Sequence, residues 1–106
     1  MSALELRPEV RAFAEAMERK LRVNEHRGGW QDDEPGDLFE RAQEEMEEFA
    51  DALNEWDRIR MDKPDGSPGW VDRTIAANKT HMEQLINKAA DTANMLMMVV
   101  DVCRSK

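Results

Sequence analysis

Apolar residues recur along the chain at helical spacing in three segments. Val10, Phe13, Met17 and Leu21 follow one another at steps of three and four. With Pro8 suited to a first turn, this predicts a helix over 8–24. The stretch NEHRGGWQDDEPGD breaks the pattern, and Gly28, Gly29, Pro35 and Gly36 mark a loop. A second helix is expected from near Asp37, a candidate N-cap with Glu40 three residues on in capping-box spacing. Its apolar positions, Phe39, Ala42, Met46, Phe49, Leu53 and Trp56, make one stripe that fades near Met61. DKPDGSPGW then reads as a loop. A third helix is expected from Asp72 or Thr74 to about Arg104.

The second half of that helix, AADTANMLMMVVDVC, is apolar almost all round, so it must be buried on more than one side. Three helices in a chain of 106 residues can hardly cover it. The expectation is one all-α domain over 1–106, a helical bundle of three to four helices per chain completed by oligomerisation, as a dimer or tetramer.

Charge narrows the range of partners. The formal net charge is −8 and no basic stripe is present, which argues against nucleic acid, a polyanion bound mainly through Lys and Arg. The single cysteine, Cys103, permits no intramolecular disulfide, which fits a reducing compartment. No long apolar run opens the chain, so no signal peptide is expected. MLMMVV is too short to span a bilayer. These features predict a soluble, cytoplasmic protein that does not enter a membrane.

The second helix carries RAQEEMEEFADAL. At about 100° per residue, Glu45 lies on the flank of the apolar stripe and Glu48 one step further out. Glu44 and Glu47 lie toward the open face. A charge run of this kind is commonly a solvated helix face. Yet like charges at these spacings repel, only Arg41 is a nearby cation, and a hard divalent ion such as Mg²⁺ would relieve the repulsion. On the third helix Asp91, Asn94 and Asp101 fall on one side, with Gln84, Asn87 and Lys88 extending the stripe upstream. This stripe is either the helix's one wet face or the second half of a site. A carboxylate at Asp91, within the core half, is costly unless paired or metal-bound. Bundle metal sites are built from facing side chains on two such helices.

These residues together resemble the MazG-like nucleotide pyrophosphohydrolases, in their short single-domain form found in phages and mobile elements. The signature of that family is EExxE followed by an apolar residue, then ExxD on a later helix. EEMEEF supplies Glu44, Glu45 and Glu48 with Phe49, and KAADTANMLMMVVD places Asp91 at the aspartate. Upstream, KLRVNEHRGGW is similar to the segment before the metal helix, with Asn24, Arg27, Gly29 and Trp30 matching. The likeness runs from Met17 to Val102. At one position it departs: Lys88 stands where ExxD has glutamate.

The resemblance implies an all-α oligomer that hydrolyses a nucleoside triphosphate to the monophosphate and pyrophosphate with Mg²⁺, Mn²⁺ being able to substitute. Glu45, Glu48 and Asp91 would hold metal, and Glu44 would ligate or act as base toward water. Lys20, Arg27 and Lys79 are candidates for phosphate contacts, or else ordinary surface charge. Lys88 either contacts phosphate or lowers the number of metals held. Asn24 and Asn94 join the substrate-binding candidates. Trp30 would stack on a base or anchor its loop. His26 and His81 read as surface residues, and the methionines as adaptable core filler. The rival reading is a non-catalytic helical module, for assembly, partner binding or nucleotide binding without hydrolysis.

Overall fold

The computed structural model describes residues 4–60 and 66–106. Within them the protein is all-helical: α1 (Pro8–Val23), a short 3₁₀ turn (Glu25–Arg27), α2 (Pro35–Arg60) and α3 (Trp70–Arg104). The expected end of the second helix near Met61, and residues 62–65 of the loop after it, lie outside the described residues.

Two helix starts differ from expectation. Pro35 begins α2, and the Leu38 N–H donates to the Glu34 carbonyl at 3.1 Å. Proline at a first helical position gives up no hydrogen bond, so the helix opens two residues before Asp37. Asp37 therefore sits inside the first turn and is not the N-cap. Its carboxylate there still complements the positive end of the helix. Likewise α3 opens at Trp70, after Gly69 in a left-handed conformation (φ 79°), and the Arg73 N–H donates to the Gly69 carbonyl at 3.0 Å.

α2 and α3 form an antiparallel pair. Glu48 faces Lys88 and Glu55 lies near His81, so residue numbers on the two helices rise in opposite directions. α1 lies along the C-terminal half of α3, where the buried Asn94 donates from Nδ2 to the Met17 carbonyl at 3.0 Å. The Asp91–Asn94 side of α3 is thus the seat of α1 rather than a wet face.

The packed face of α2 also differs from the apolar stripe read from the sequence. Leu38, Ala42, Glu45, Phe49, Ala52 and Trp56, at steps of four and three, are buried or half-buried. Phe39, Met46 and Leu53, which belong to the predicted stripe, are exposed. The stripe is wide enough to serve two faces, and α3 covers one of them. On α1, Ala16 is buried while Val10 and Phe13 stay exposed, because α3 is met only by the later turns of that helix. Among the described residues no helix is long and apolar enough to cross a membrane.

Candidate functional site

The antiparallel pairing of α2 with α3 brings the two acidic motifs together. Glu45 and Glu48 are neighbours on successive turns of α2, and Lys88 and Asp91 hold the same spacing on α3. Lys88 Nζ donates to Glu48 Oε2 at 3.0 Å. Lys20 reaches over from α1, with its Nζ 3.5 Å from Asp91 Oδ1. Both members of the Lys20–Asp91 pair are mostly screened from water, with 28% and 21% of their side-chain surfaces exposed. This pairing is how the structure meets the cost of placing Asp91 beside the core.

Glu45 is the outlier. It lies on the packed face of α2, and its Oε2 is enclosed without a hydrogen-bond partner. Burial pushes its carboxyl above the ordinary carboxylate range, and a hydrogen bond with Glu48 and the charges of Glu48 and Asp91 push the same way, against Lys88. Glu48 is held lower, chiefly by its hydrogen bond from Lys88. That bond also raises the Lys88 ammonium. Three carboxylates and two ammoniums thus form one cluster at the junction of the three helices. The opposing directions at Glu45 and Glu48 have a simple cause: the exposed carboxylate has the lysine, and the enclosed one has burial and two like charges.

Carboxylate oxygens are the hard donors that Mg²⁺ takes, and Glu45 Oε2 is unpartnered, so the donor chemistry fits a divalent cation. The arrangement is not a ready-made cage. Among the described residues no three His, Cys, Asp or Glu side chains converge tightly enough to hold a metal, since lysines engage Glu48 and Asp91. A cation at this site must compete with Lys88 for Glu48.

The other sequence candidates are divided. Asn24, at the end of α1, donates from Nδ2 to the Lys20 carbonyl at 3.2 Å, close to the base of the Lys20 side chain. Asn94 spends its donor on Met17, with its Oδ1 buried and unpartnered. The Trp30 indole donates to Asp101 Oδ2 at 2.9 Å, which ties the loop after Gly28 to the C-terminal turns of α3. Gly28 turns the chain there at a φ of 85° that disfavours side chains. Glu44 and Arg27 are exposed. Lys79 is exposed on α3, nine residues and so about 13 Å along the axis from Lys88, outside the cluster. Arg41 turns away to Asp33, at 4.0 Å.

Some features were missed in the sequence. His81 is half-buried with Nδ1 enclosed and unpartnered, close to Asn78, whose Oδ1 is in the same state; it is not a surface residue. His81 follows Thr74 and precedes Leu85 and Lys88 on the side of α3 that meets α2, a position its polarity disguised. Cys103, expected in apolar surroundings, is exposed. Two surface concavities, of about 350 Å³ beside Gly66–Asp72 and about 600 Å³ beside Glu5–Glu15, lie apart from the cluster. No family model, curated protein or solved structure matches this chain.

Proposed function

We propose that this chain is a MazG-like, Mg²⁺-dependent pyrophosphohydrolase that cleaves a nucleoside triphosphate to its monophosphate and pyrophosphate, working as a homo-oligomer in the cytoplasm. The observation that carries the reading is the meeting of Glu45, Glu48 and Asp91 from two antiparallel helices, with one enclosed carboxylate oxygen left without a partner. Such a concentration of acid beside a core is costly unless a cation offsets it.

In this reading Glu45, Glu48 and Asp91 would hold Mg²⁺. When bound, the ion neutralises phosphate charge and acidifies the attacking water. Lys88 and Lys20 then leave their carboxylates and bind phosphate oxygens, each as a point charge on a flexible stem. Glu44, exposed one residue before Glu45, takes a proton from water as general base. Asn24 fixes the end of α1 from which Lys20 projects. Trp30 is held by Asp101, ten residues and so about 15 Å along α3 from Asp91, and in this reading anchors its loop. The test is a pyrophosphate-release screen over all ribo- and deoxyribonucleoside triphosphates with Mg²⁺ and Mn²⁺. Release with none of them overturns the catalytic reading.

A second reading is favoured by the Lys88–Glu48 and Lys20–Asp91 pairs: a helical module that binds a nucleotide or a protein partner without hydrolysis, its carboxylates neutralised by its own lysines. Thermal melting separates the two. A stability gain that needs Mg²⁺ and nucleotide together supports the metal site, because only ligands of the native state raise stability. A gain with nucleotide alone supports the second reading.

A further inference from the structure

Among the described residues α1 packs on α3 and not on α2. Residues 8–15 of α1 are all exposed, and its packed side is Ala16, Met17, Lys20 and Leu21. Two polar contacts hold that side down. Asn94 donates to the Met17 carbonyl, and Lys20 Nζ stands 3.5 Å from Asp91 Oδ1. Asp91 and Asn94 are three apart on α3, so the two contacts act on successive turns. Asp91 also belongs to the charged cluster, near enough to Glu45 and Lys88 to act on their charges. One carboxylate therefore serves both the cluster and the seat of α1.

We infer that the Lys20–Asp91 ion pair is a latch on α1. It seats the helix while the cluster is empty, opens when a divalent cation takes Asp91, and closes when the freed Lys20 meets the phosphates of a cation-bound polyphosphate. The inference rests on the cation-binding reading proposed above and adds to it the movement of a helix. Three features carry it. First, two ammoniums have the charge of one divalent ion. The ion can therefore replace Lys20 and Lys88 beside the carboxylates with the net charge of the cluster unchanged. Second, the two lysines differ in what they release. Lys88 lets go of α2, which stays packed through the buried Leu38 and Ala42. Lys20 is the one charged side chain on the packed side of α1, a helix whose only buried residue is Ala16. Third, α1 stays tethered when the latch opens. The Trp30 indole still holds Asp101, and Gly28, at a φ of 85°, bends the chain between that anchor and the helix. A ligand shifts an equilibrium only as far as its affinities for the two states differ, and here the cation and Lys20 exclude each other at Asp91. The coupling is reciprocal, so the latch weakens cation binding by the factor by which the cation loosens α1.

The experiment is hydrogen exchange of the whole chain, read by mass spectrometry in three solutions of equal ionic strength: KCl alone, Mg²⁺, and Mg²⁺ with inorganic tripolyphosphate. Tripolyphosphate supplies the phosphate chemistry without a base, and calorimetry reports whether Mg²⁺ binds. Mg²⁺ alone should speed exchange over residues 16–23 by about threefold or more, the scale of one ion pair largely screened from water, and leave 42–56 unchanged. Mg²⁺ with tripolyphosphate should return 16–23 to the rate in KCl or below it. Lys20→Gln should exchange fast over 16–23 without Mg²⁺, show no further change when Mg²⁺ is added, and bind Mg²⁺ more tightly than wild type. Mg²⁺ binding with no change over 16–23 overturns the latch and leaves the cation site standing. No Mg²⁺ binding overturns both. A helix as loose with Mg²⁺ and tripolyphosphate as with Mg²⁺ alone overturns the closing step. A Lys20→Gln chain whose α1 is still loosened by Mg²⁺ overturns the latch as well. The wild-type rates decide the matter if the variant fails to fold.

Discussion

Lys88 Nζ stands 3.0 Å from Glu48 Oε2 across the seam between α2 and α3, so a cation belonging to the chain holds a carboxylate proposed to bind metal. Lys88→Glu removes that cation and adds a fourth acid beside Glu45, Glu48 and Asp91. Without divalent ions its melting temperature should fall below wild type, because like charges then face each other unrelieved. With Mg²⁺ the order should shift back, and Mg²⁺ should bind about tenfold more tightly, the scale of one unit charge near a partly exposed site. Turnover should rise with it. Lys88→Ala separates a second role: a higher Michaelis constant in both variants assigns Lys88 to phosphate. Melting curves and kinetics across a Mg²⁺ titration read both effects, and identical behaviour of Lys88→Glu and wild type would remove Lys88 from the site.

Glu45→Gln and Glu48→Gln should each lower Mg²⁺-dependent turnover by about 100-fold or more, since a metal supplies several kcal/mol of charge stabilisation. Circular dichroism should show both folded. Glu48 is exposed and its ion pair lies at the surface, so its loss is expected to leave stability little changed. Wild-type rates in both variants would make this acidic run a solvated helix face.

Glu45 also gives a pH signature. Its carboxyl is raised above the ordinary 4.5, so in the window above 4.5 the native state keeps a proton that the unfolded chain has released. Stability therefore falls as pH rises through that window. Glu48 is lowered, so its contribution is present above 4.5 and is lost as pH falls through its folded value. Glu45→Gln removes the first effect and lessens the second, which Lys88 chiefly sustains. The variant should melt higher than wild type at pH 7, with the gap shrinking as pH drops to 4. A gap that is constant with pH would show that Glu45 is not strained by burial.

Asn94→Ala breaks the hydrogen bond to the Met17 carbonyl that seats α1 on α3. The Met17 carbonyl lies within α1 and keeps its intrahelical bond, so the loss is that of one part-buried hydrogen bond, about 1 kcal/mol. The melting temperature should drop by at least about 4 °C on the scaling for a domain of this size. Because Lys20 sits on α1, the same variant should also weaken nucleotide binding. A drop in stability without a change in nucleotide affinity would separate α1 from the site.

Trp30→Phe keeps the ring and loses the donor to Asp101. This hydrogen bond is exposed, so its loss is expected to cost only roughly 0.5–1 kcal/mol. The prediction is a small fall in melting temperature with base preference unchanged, because stacking survives in Phe. A changed base preference with unchanged stability would assign the indole to substrate and not to the loop.

The sequence by itself determined the helices. The three- and four-residue steps placed all three, and their starts fell within about four residues of the structure because Pro8, Pro35 and Gly69 act locally on the backbone. It also determined that Glu44, Glu45 and Glu48 share one helix and that Lys88 and Asp91 share another, since spacing on a helix is fixed by its pitch. Tertiary structure decided what each face meets. The α2 stripe read as a single core surface, yet Leu38, Ala42 and Phe49 pack while Phe39, Met46 and Leu53 do not. A periodic pattern records that a side of a helix is apolar, not which neighbour covers it. Nor could spacing pair Lys88 with Glu48, Lys20 with Asp91 or Trp30 with Asp101. These contacts join residues 40 to 71 positions apart and exist only because antiparallel packing and the seat of α1 bring them together.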